Sequence, residues 1–298
     1  MTLEQLRIFV AVAERQHVTA AASALGLTQS AASAAIASLE TQYGVKLFDR
    51  VGRGIVLTEE GALFLKEARA VLQRANAAED ALYDLGKLIR GTLRIAASQT
   101  VGTYWLPGRL LDFRLAHPGV TLDCSIGNTE QVADAVRDGN AHLGFVEGEI
   151  FDSHLRTSIV ARDKLLLVVG AGHPWAERKT PVEAEELAST AWVLREKGSG
   201  TRAVFDSVLG RHQLNAAQFN VLMELPSNEA VTSAVSTGTA ASILSTFAVL
   251  AGLEAGFLTA VPCDLPERSF YLVTHKNRHL SRSAEAFLAS AKLASTVM

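Results

Sequence analysis

Apolar positions recur at helical spacing through the first 90 residues, and then give way to short apolar runs alternating with amphipathic stretches. Leu3, Leu6, Phe9, Val10 and Ala13 mark a first helix. A second, short helix covers residues 18–25 and is broken by Gly26-Leu27-Thr28. Thr28 suits the N-cap of a third helix over residues 29–43, which Gly44 ends. The runs VKLF and GIVL, on either side of a glycine-rich basic tip at residues 49–54, predict a small hairpin. Thr58 caps a long helix to about Ile89, with Glu59 and Glu60 in its first turn. Ala68, Ala75, Leu82 and Ile89 recur every seven residues along it, with Leu65 and Leu72 offset by three. Such a repeat points to a partner helix, because the neighbouring chain offers little else to cover the stripe.

From Gly91 the pattern changes. Leu93, Ile95 and Ala97 read as a strand, residues 102–116 as a helix, VTLDCSI as a strand, residues 130–138 as a helix and HLGFV as a strand. KLLLVVG, AWVL, FNVLMEL, AASIL and FYLVTH continue the series, with helices after Gly200 and Ser227 and a last one in SRSAEAFLASAKLA. Strands alternating with helices predict a parallel α/β sheet.

With 298 residues the chain has material for about two domains. Its formal net charge of −3 excludes a strongly basic nucleic-acid coat, so any DNA contact depends on local placement of charge. Cys124 and Cys263 lie too far apart for a short-spaced metal or redox pair and read as small, buried, reduced residues. MTLEQLRIF lacks a basic segment followed by an apolar run, and no uncharged stretch is long enough to cross a bilayer. These features predict a cytoplasmic protein away from membranes, and no motif calls for a metal or cofactor.

The two short helices joined at Gly26 fit a helix-turn-helix. Ala21 and Ala22 let the helices cross closely, and Ala32, Ile36 and Leu39 give the third helix a core face. Gln29, Ser30, Ser33, Ala34 and Ala37 lie away from that face, where a recognition helix meets base edges. Gln pairs with adenine, Ser donates or accepts, and Ala touches a thymine methyl. Lys46, Arg50 and Arg53 of the hairpin supply charge for phosphates. Residues 1–60 nonetheless hold five basic against six acidic residues, a net of −1, so affinity is expected to come from several heads on one DNA and from shape readout.

The ordered set LxxFxxV, AAxxL, SxxIxxLE, GxxLFxR and LTxxG within residues 2–61 resembles the DNA-binding end of LysR-type transcriptional regulators. Relatives often carry Arg or Lys on the recognition helix where this chain has Ala34 and Ala35. The resemblance implies an α winged helix-turn-helix domain at 1–58 and a linker (dimerisation) helix at 59–90. It further implies an α/β two-lobe, periplasmic-binding-protein-like effector domain at 91–298, with lobe I at 91–162 and 266–298 and lobe II at 163–265. The implied partners are double-stranded promoter DNA, a small-molecule effector and further copies of the chain, with linker helices pairing chains and effector domains pairing dimers into a tetramer.

In such a fold the cleft lies at the carboxyl ends of the strands. Ser98, Gln99 and Thr100 would stand there with Asn128 and Thr129, with Gly198, Ser199, Gly200, Thr201 and Arg202, and with Asn228. Each hydroxyl or amide can also serve merely as a helix cap. Together, with Arg202 in a first turn, they suit a small anion or carboxylate. Glu147 adds a negative charge that meets either the effector or a cation, Lys197 or Arg202. SQTVGTYWLP, GNTEQVADAV, FVEG, REKGSGTR and LPSNEAV resemble the branch that regulates sulfur assimilation and carbon fixation, whose effectors are small anions or phosphorylated metabolites. A solute-binding protein would leave the first 90 residues unexplained, and a hydrolase built on Ser199 and a histidine finds no GxSxG elbow or HExxH.

Overall fold

The computed structural model describes residues 1–52, 54–86 and 89–291, and divides into two compact units, Met1–Leu82 and Tyr83–Met298. In the first unit, α1 (Leu3–Arg15), α2 (Val18–Ala24) and α3 (Gln29–Tyr43) are followed by β1 (Phe48–Val51), β2 (Gly54–Leu57) and α4 (Glu59–Leu85). The caps expected at Thr28 and Thr58 form, with the Thr58 hydroxyl accepting from the Gly61 N–H at 2.9 Å, and α1 gains one more. Thr2 and Gln5 form a capping box on α1, and Thr28 accepts from the Ala31 N–H at the start of α3. Leu6, Phe9, Val12, Ala21, Ala22, Ala32, Ile36, Leu39 and Leu47 close the core, with Phe9 stacked 4.8 Å from Phe64 and 5.4 Å from Phe48. Each of the larger side chains, Leu, Ile, Val or Phe, stabilises the head by about 1.5–3 kcal/mol when fully buried.

The stripe on α4 behaves differently from the expectation. Ala68 is buried, and Leu65 and Leu72 are half-buried, against the core of the chain's own head. That part of the stripe is covered from within. Leu63, Val71 and Leu82, 61%, 42% and 70% exposed, form the uncovered apolar side. A seven-residue repeat drifts about 20° per heptad on a straight helix, so one sequence stripe runs from a covered to an uncovered face.

The second unit holds two lobes. Lobe I contains β3 (Gly91–Ser98), α5 (Leu106–Ala116), β4 (Val120–Gly127), α6 (Thr129–Arg137), β5 (Leu143–Glu147) and β6 (Leu155–Asp163). Lobe II follows with β7 (Leu165–Gly170), β8 (Ala191–Arg195), α7 (Gly200–Arg211), β9 (Asn220–Leu225), α8 (Asn228–Val235), β10 (Ala240–Ser245), α9 (Thr246–Glu254) and β11 (Leu258–Val261). β12 (Arg268–His275) and α10 (Arg282–Ser290) return to lobe I. The strand orders are β4-β3-β5-β12-β6 and β11-β7-β10-β8-β9. Leu93, Ile95, Phe113, Phe145, Phe270 and Phe287 anchor one core, and Trp192, Phe205, Phe219 and Ile243 the other.

Four features depart from the sequence-based expectation. The sheets are mixed rather than parallel: β12 runs antiparallel to β5 and β6, and β7 antiparallel to β10 and β11. One crossing strand leaves lobe I and the other re-enters it, so they must oppose each other. β6 shows no clean alternation, since only its ends, Leu155 and Asp163, are buried, and periodicity therefore misses it. The helix expected at 102–116 splits into a π turn, Val101–Trp105, followed by α5. Pro107 lies in the first turn of α5, and a proline ring in a regular helix would clash with the carbonyl four residues back, here Thr103. The widened turn removes that clash. Cys124 is exposed rather than buried because β4 is an edge strand, and Cys263 is half-buried; both are free thiols.

Candidate functional site

On the head, Gln29, Ser30, Ser33, Ala34 and Ala37 are all exposed along α3, opposite buried Ala32, Ile36 and Leu39. The Ser30 hydroxyl lies 3.0 Å from that of the cap residue Thr28. Arg50 is exposed on β1, as is Lys46 just before it; Arg53 lies outside the described residues. Glu40 closes the core side of this surface. Its carboxylate accepts from the N–H groups of Leu47 (2.8 Å) and Phe48 (3.2 Å), which ties the hairpin to the end of α3. One of the acidic residues in the head is therefore turned inward. Gly61 is required for a related reason, because a Cβ there would lie 2.1 Å from the Leu47 carbonyl oxygen. Glu14 is paired with Arg69 at 2.8 Å. The outward face of α3 is thus uncharged, and its chemistry is that of amide, hydroxyl and methyl groups.

In the second unit, one hydrogen-bond network crosses from lobe to lobe. The Gln99 carbonyl oxygen accepts from Arg195 Nη1 (3.1 Å) and from the Asn228 N–H (3.0 Å). Asn228 Nδ2 donates to Thr100 Oγ1 at 2.9 Å, and its Oδ1 accepts from Arg195 Nη1 at 3.0 Å. Arg195 is buried, and Glu196 accepts from its Nε at 2.8 Å and its Nη2 at 3.0 Å. At the rim, Glu229 accepts from Gln99 Nε2 (2.7 Å) and from the Tyr104 hydroxyl (2.8 Å). Burial, then the bond to Glu229, pushes the Tyr104 phenol well above its ordinary range. Burial works against the Glu229 charge, yet the bonds from Tyr104, the backbone, Gln99 and Ser227 hold its carboxyl below the usual value.

A second approach joins β5 to α7. Thr129 Oγ1 donates to the Glu147 carbonyl at 3.1 Å, and a Cβ on Gly200 would fall 2.0 Å from that same oxygen. Only glycine lets α7 start so close. Gly198 stands beside Asn128, which caps α6, while Ser199 caps α7. For Asn128 and Ser199 the capping role is therefore real. Ser98, at the end of β3, is 1% exposed, and its Oγ has no hydrogen-bond partner. Thr201 accepts at 3.0 Å from Arg268, whose guanidinium also pairs with buried Asp163. Ser245 donates to Asp163 at 2.7 Å, so the two chain crossings and the start of α7 are bound together.

Arg202 does not join this cleft set. Its guanidinium is engaged by Asp206 (3.0 Å) and Glu224, which hold its charge above the ordinary range despite burial. Of the partners weighed for Glu147, Arg202 is engaged elsewhere, because the i,i+4 position and the neighbouring strand β9 supply its carboxylates. Arg195, Arg268, Asp163 and Tyr104 were not marked by sequence reasoning. A buried arginine looks the same in sequence as a surface one, and Tyr104 owes its position to the π turn.

Among the described residues, no helix is long and apolar enough to cross a membrane. Residues 3–62 match the description "Bacterial regulatory helix-turn-helix protein, lysR family", and residues 86–294 match "LysR substrate binding domain". The chain is 37% identical over 290 residues to the "Uncharacterized HTH-type transcriptional regulator YeiE" of Escherichia coli (strain K12), covering 97% of this chain and 96% of that one. It is 36% identical to the "Probable RuBisCO transcriptional regulator" of Trichormus variabilis, covering 96% of this chain and 86% of that one. Among solved structures it is similar to full-length CbnR complexed with its target DNA (21% identity, TM-score 0.70, 99% and 100% of the two chains). It is also similar to the Synechocystis PCC6803 CcmR regulatory domain in complex with 2-PG (28% identity, TM-score 0.63, 70% and 98%).

Proposed function

The chain belongs to the LysR family of transcriptional regulators rather than to an enzyme family, and on that premise we propose that a small anionic metabolite, bound between the lobes, changes how its heads hold and bend promoter DNA. The observation that carries this reading is the direct bonding of Gln99 and Thr100 in lobe I to Arg195 and Asn228 in lobe II. A ligand entering there must exchange those bonds for its own, so it acts on the spacing of the lobes. Ser98, Gln99, Thr100, Asn128, Thr129, Glu147, Gly198, Ser199, Gly200, Thr201 and Asn228 are proposed to line its site, with Arg202 as a positioning residue on α7. The likeness to CcmR with 2-PG supports an anionic effector. Differential affinity for two lobe arrangements then shifts the population of DNA-bending states.

The DNA side is proposed to use Gln29, Ser30, Ser33, Ala34 and Ala37 for base edges and Arg50 and Arg53 for phosphates. Leu63, Ala70 and Ala77 recur every seven residues on the exposed side of α4, as do Val71 and Ala78. This supports pairing of two copies through α4, with effector domains joining dimers into a tetramer. A thermal-shift screen of the full chain against sulfite, sulfate, thiosulfate, 2-PG and small carboxylates tests the effector class. A true effector raises the midpoint by mass action, and no shift with any of them overturns the anionic reading. A mobility-shift assay at two salt concentrations tests the head, where salt-sensitive binding to its own promoter is expected. A monomer by light scattering at micromolar concentration removes the pairing.

A further inference from the structure

The Gln99 amide and the Tyr104 hydroxyl of lobe I converge on one carboxylate, that of Glu229 in lobe II, at 2.7 and 2.8 Å. Neither donor is a chance contact. The Gln99 carbonyl oxygen is fixed by Arg195 Nη1 and by the Asn228 N–H, so its NH2 group can only face Glu229 and, more weakly, Thr103 Oγ1 at 3.4 Å. Tyr104 is set by the π turn, out of register with α5, and remains a protonated donor at any physiological pH. The carboxylate they hold belongs to an exposed side chain in the first turn of α8. Arg195, whose charge reaches the Tyr104 phenol, is already paired with Glu196.

We infer that Gln99 Nε2 and Tyr104 Oη form an oxyanion subsite of the cleft, filled here by Glu229 as a tethered occupant and taken over by the carboxylate or other singly charged oxyanion of an effector. The reading of the effector as an anion supplies the incoming group; the subsite itself stands on the geometry of the two donors. Two neutral donors without a free cation select a monoanion over a dianion, because they stabilise a single charge without neutralising a second. Glu229 then sets a threshold: the effector must outcompete an attached carboxylate, and its entry releases the lobe II side of the clasp.

Chemical rescue tests this. In the full chain, Glu229→Ala is expected to speed amide hydrogen exchange several-fold across residues 99–106. Sodium acetate, the free counterpart of the missing side chain, is expected to restore protection where sodium chloride of equal ionic strength does not. In Glu229→Ala/Tyr104→Phe acetate is expected to have no effect. Unchanged exchange in Glu229→Ala overturns the clasp, and acetate that restores nothing, or acts equally in the double variant, overturns the subsite. If the wild-type chain meets no stabilising anion in the thermal screen while acetate rescue succeeds, the effector reading falls and the subsite stands; the opposite pair of results removes the subsite alone.

Discussion

The exposed face of α3 and the cleft between the two lobes of the second unit solve the problem of building a surface in opposite ways. The candidate reading residues of α3 lie within residues 29–37, all exposed, and none holds another element in place. The cleft joins residues 96 to 130 positions apart, and Gln99, Thr100, Arg195, Asn228 and Thr201 each bond a residue of the other lobe or of a chain crossing. A local surface can change one residue at a time without cost to the fold. A non-local one cannot where the groups that line it are also part of the scaffold, as Gln99, Thr100, Arg195 and Asn228 are. The regulator thus combines an easily altered reader with a sensor whose chemistry and stability are coupled.

The largest expected effect is on that coupling. Arg268→Met leaves Asp163 buried without its cation, beside a Ser245 hydroxyl that is too weak a partner alone. Removing one member of a buried pair costs about 3–5 kcal/mol. Scanning calorimetry is expected to show the transition of the effector domain falling sharply, while that of the head stays within about 0.5 kcal/mol. If both transitions move together, the contrast between the two regions is wrong.

Thr201→Val and Ser33→Leu come next. Thr201 accepts from Arg268 Nη1, so valine leaves a buried donor unpaired and costs about 1–3 kcal/mol of stability as well as effector response. Thr201→Ser keeps the hydroxyl and is expected to recover both. Ser33→Leu alters only an exposed position, so the thermal midpoint is expected to hold while operator affinity drops by about 1–3 kcal/mol. A Thr201→Val chain of wild-type stability would mean that the hydroxyl contributes little to the junction of the lobes.

This difference also explains what was readable in the sequence. The helix-turn-helix, its cap at Thr28 and the hairpin all follow from short-range pattern, and the structure forms them. The sequence also marked Gln99, Thr100 and Asn228 as polar residues at strand ends, but not their mutual bonds, which exist only after two sheets come together. Arg202 illustrates the limit. Its place in the first turn of α7 is visible in sequence, whereas the two carboxylates that engage it depend on where β9 lies. The mixed sheets were hidden for the same reason, since alternation of strands and helices carries no sign of the direction in which β12 re-enters lobe I.

A smaller effect separates charge from shape on the head. Arg50 is exposed on β1, whereas the outward face of α3 carries no charge. Arg50→Ala is expected to weaken all DNA sequences about equally and to reduce the slope of log affinity against log salt by about 1. Loss of sequence preference without a change in slope would place Arg50 on a base instead of a phosphate.

The smallest effect is a pH dependence, and it reads the rim of the cleft. Glu229 has a carboxyl held below its ordinary value in the folded chain by the bonds from Tyr104, the backbone, Gln99 and Ser227. A depressed carboxyl binds fewer protons folded than unfolded, so its contribution is present above the unfolded value, near 4.5, and is lost as pH falls through the lower folded one. Because Glu229 is largely open to solvent, the contribution is on the order of 1 kcal/mol or less. Unfolding midpoints measured from pH 6 down to pH 3 are expected to fall slightly less steeply in Glu229→Gln than in the wild-type chain. Tyr104→Phe should flatten the curve in the same direction, because it removes one of the bonds that hold the carboxyl low. If Glu229→Gln follows the wild-type curve while Tyr104→Phe does not, the phenol acts through something other than this carboxylate, and the rim of the cleft would resemble the head: a surface whose residues stand alone.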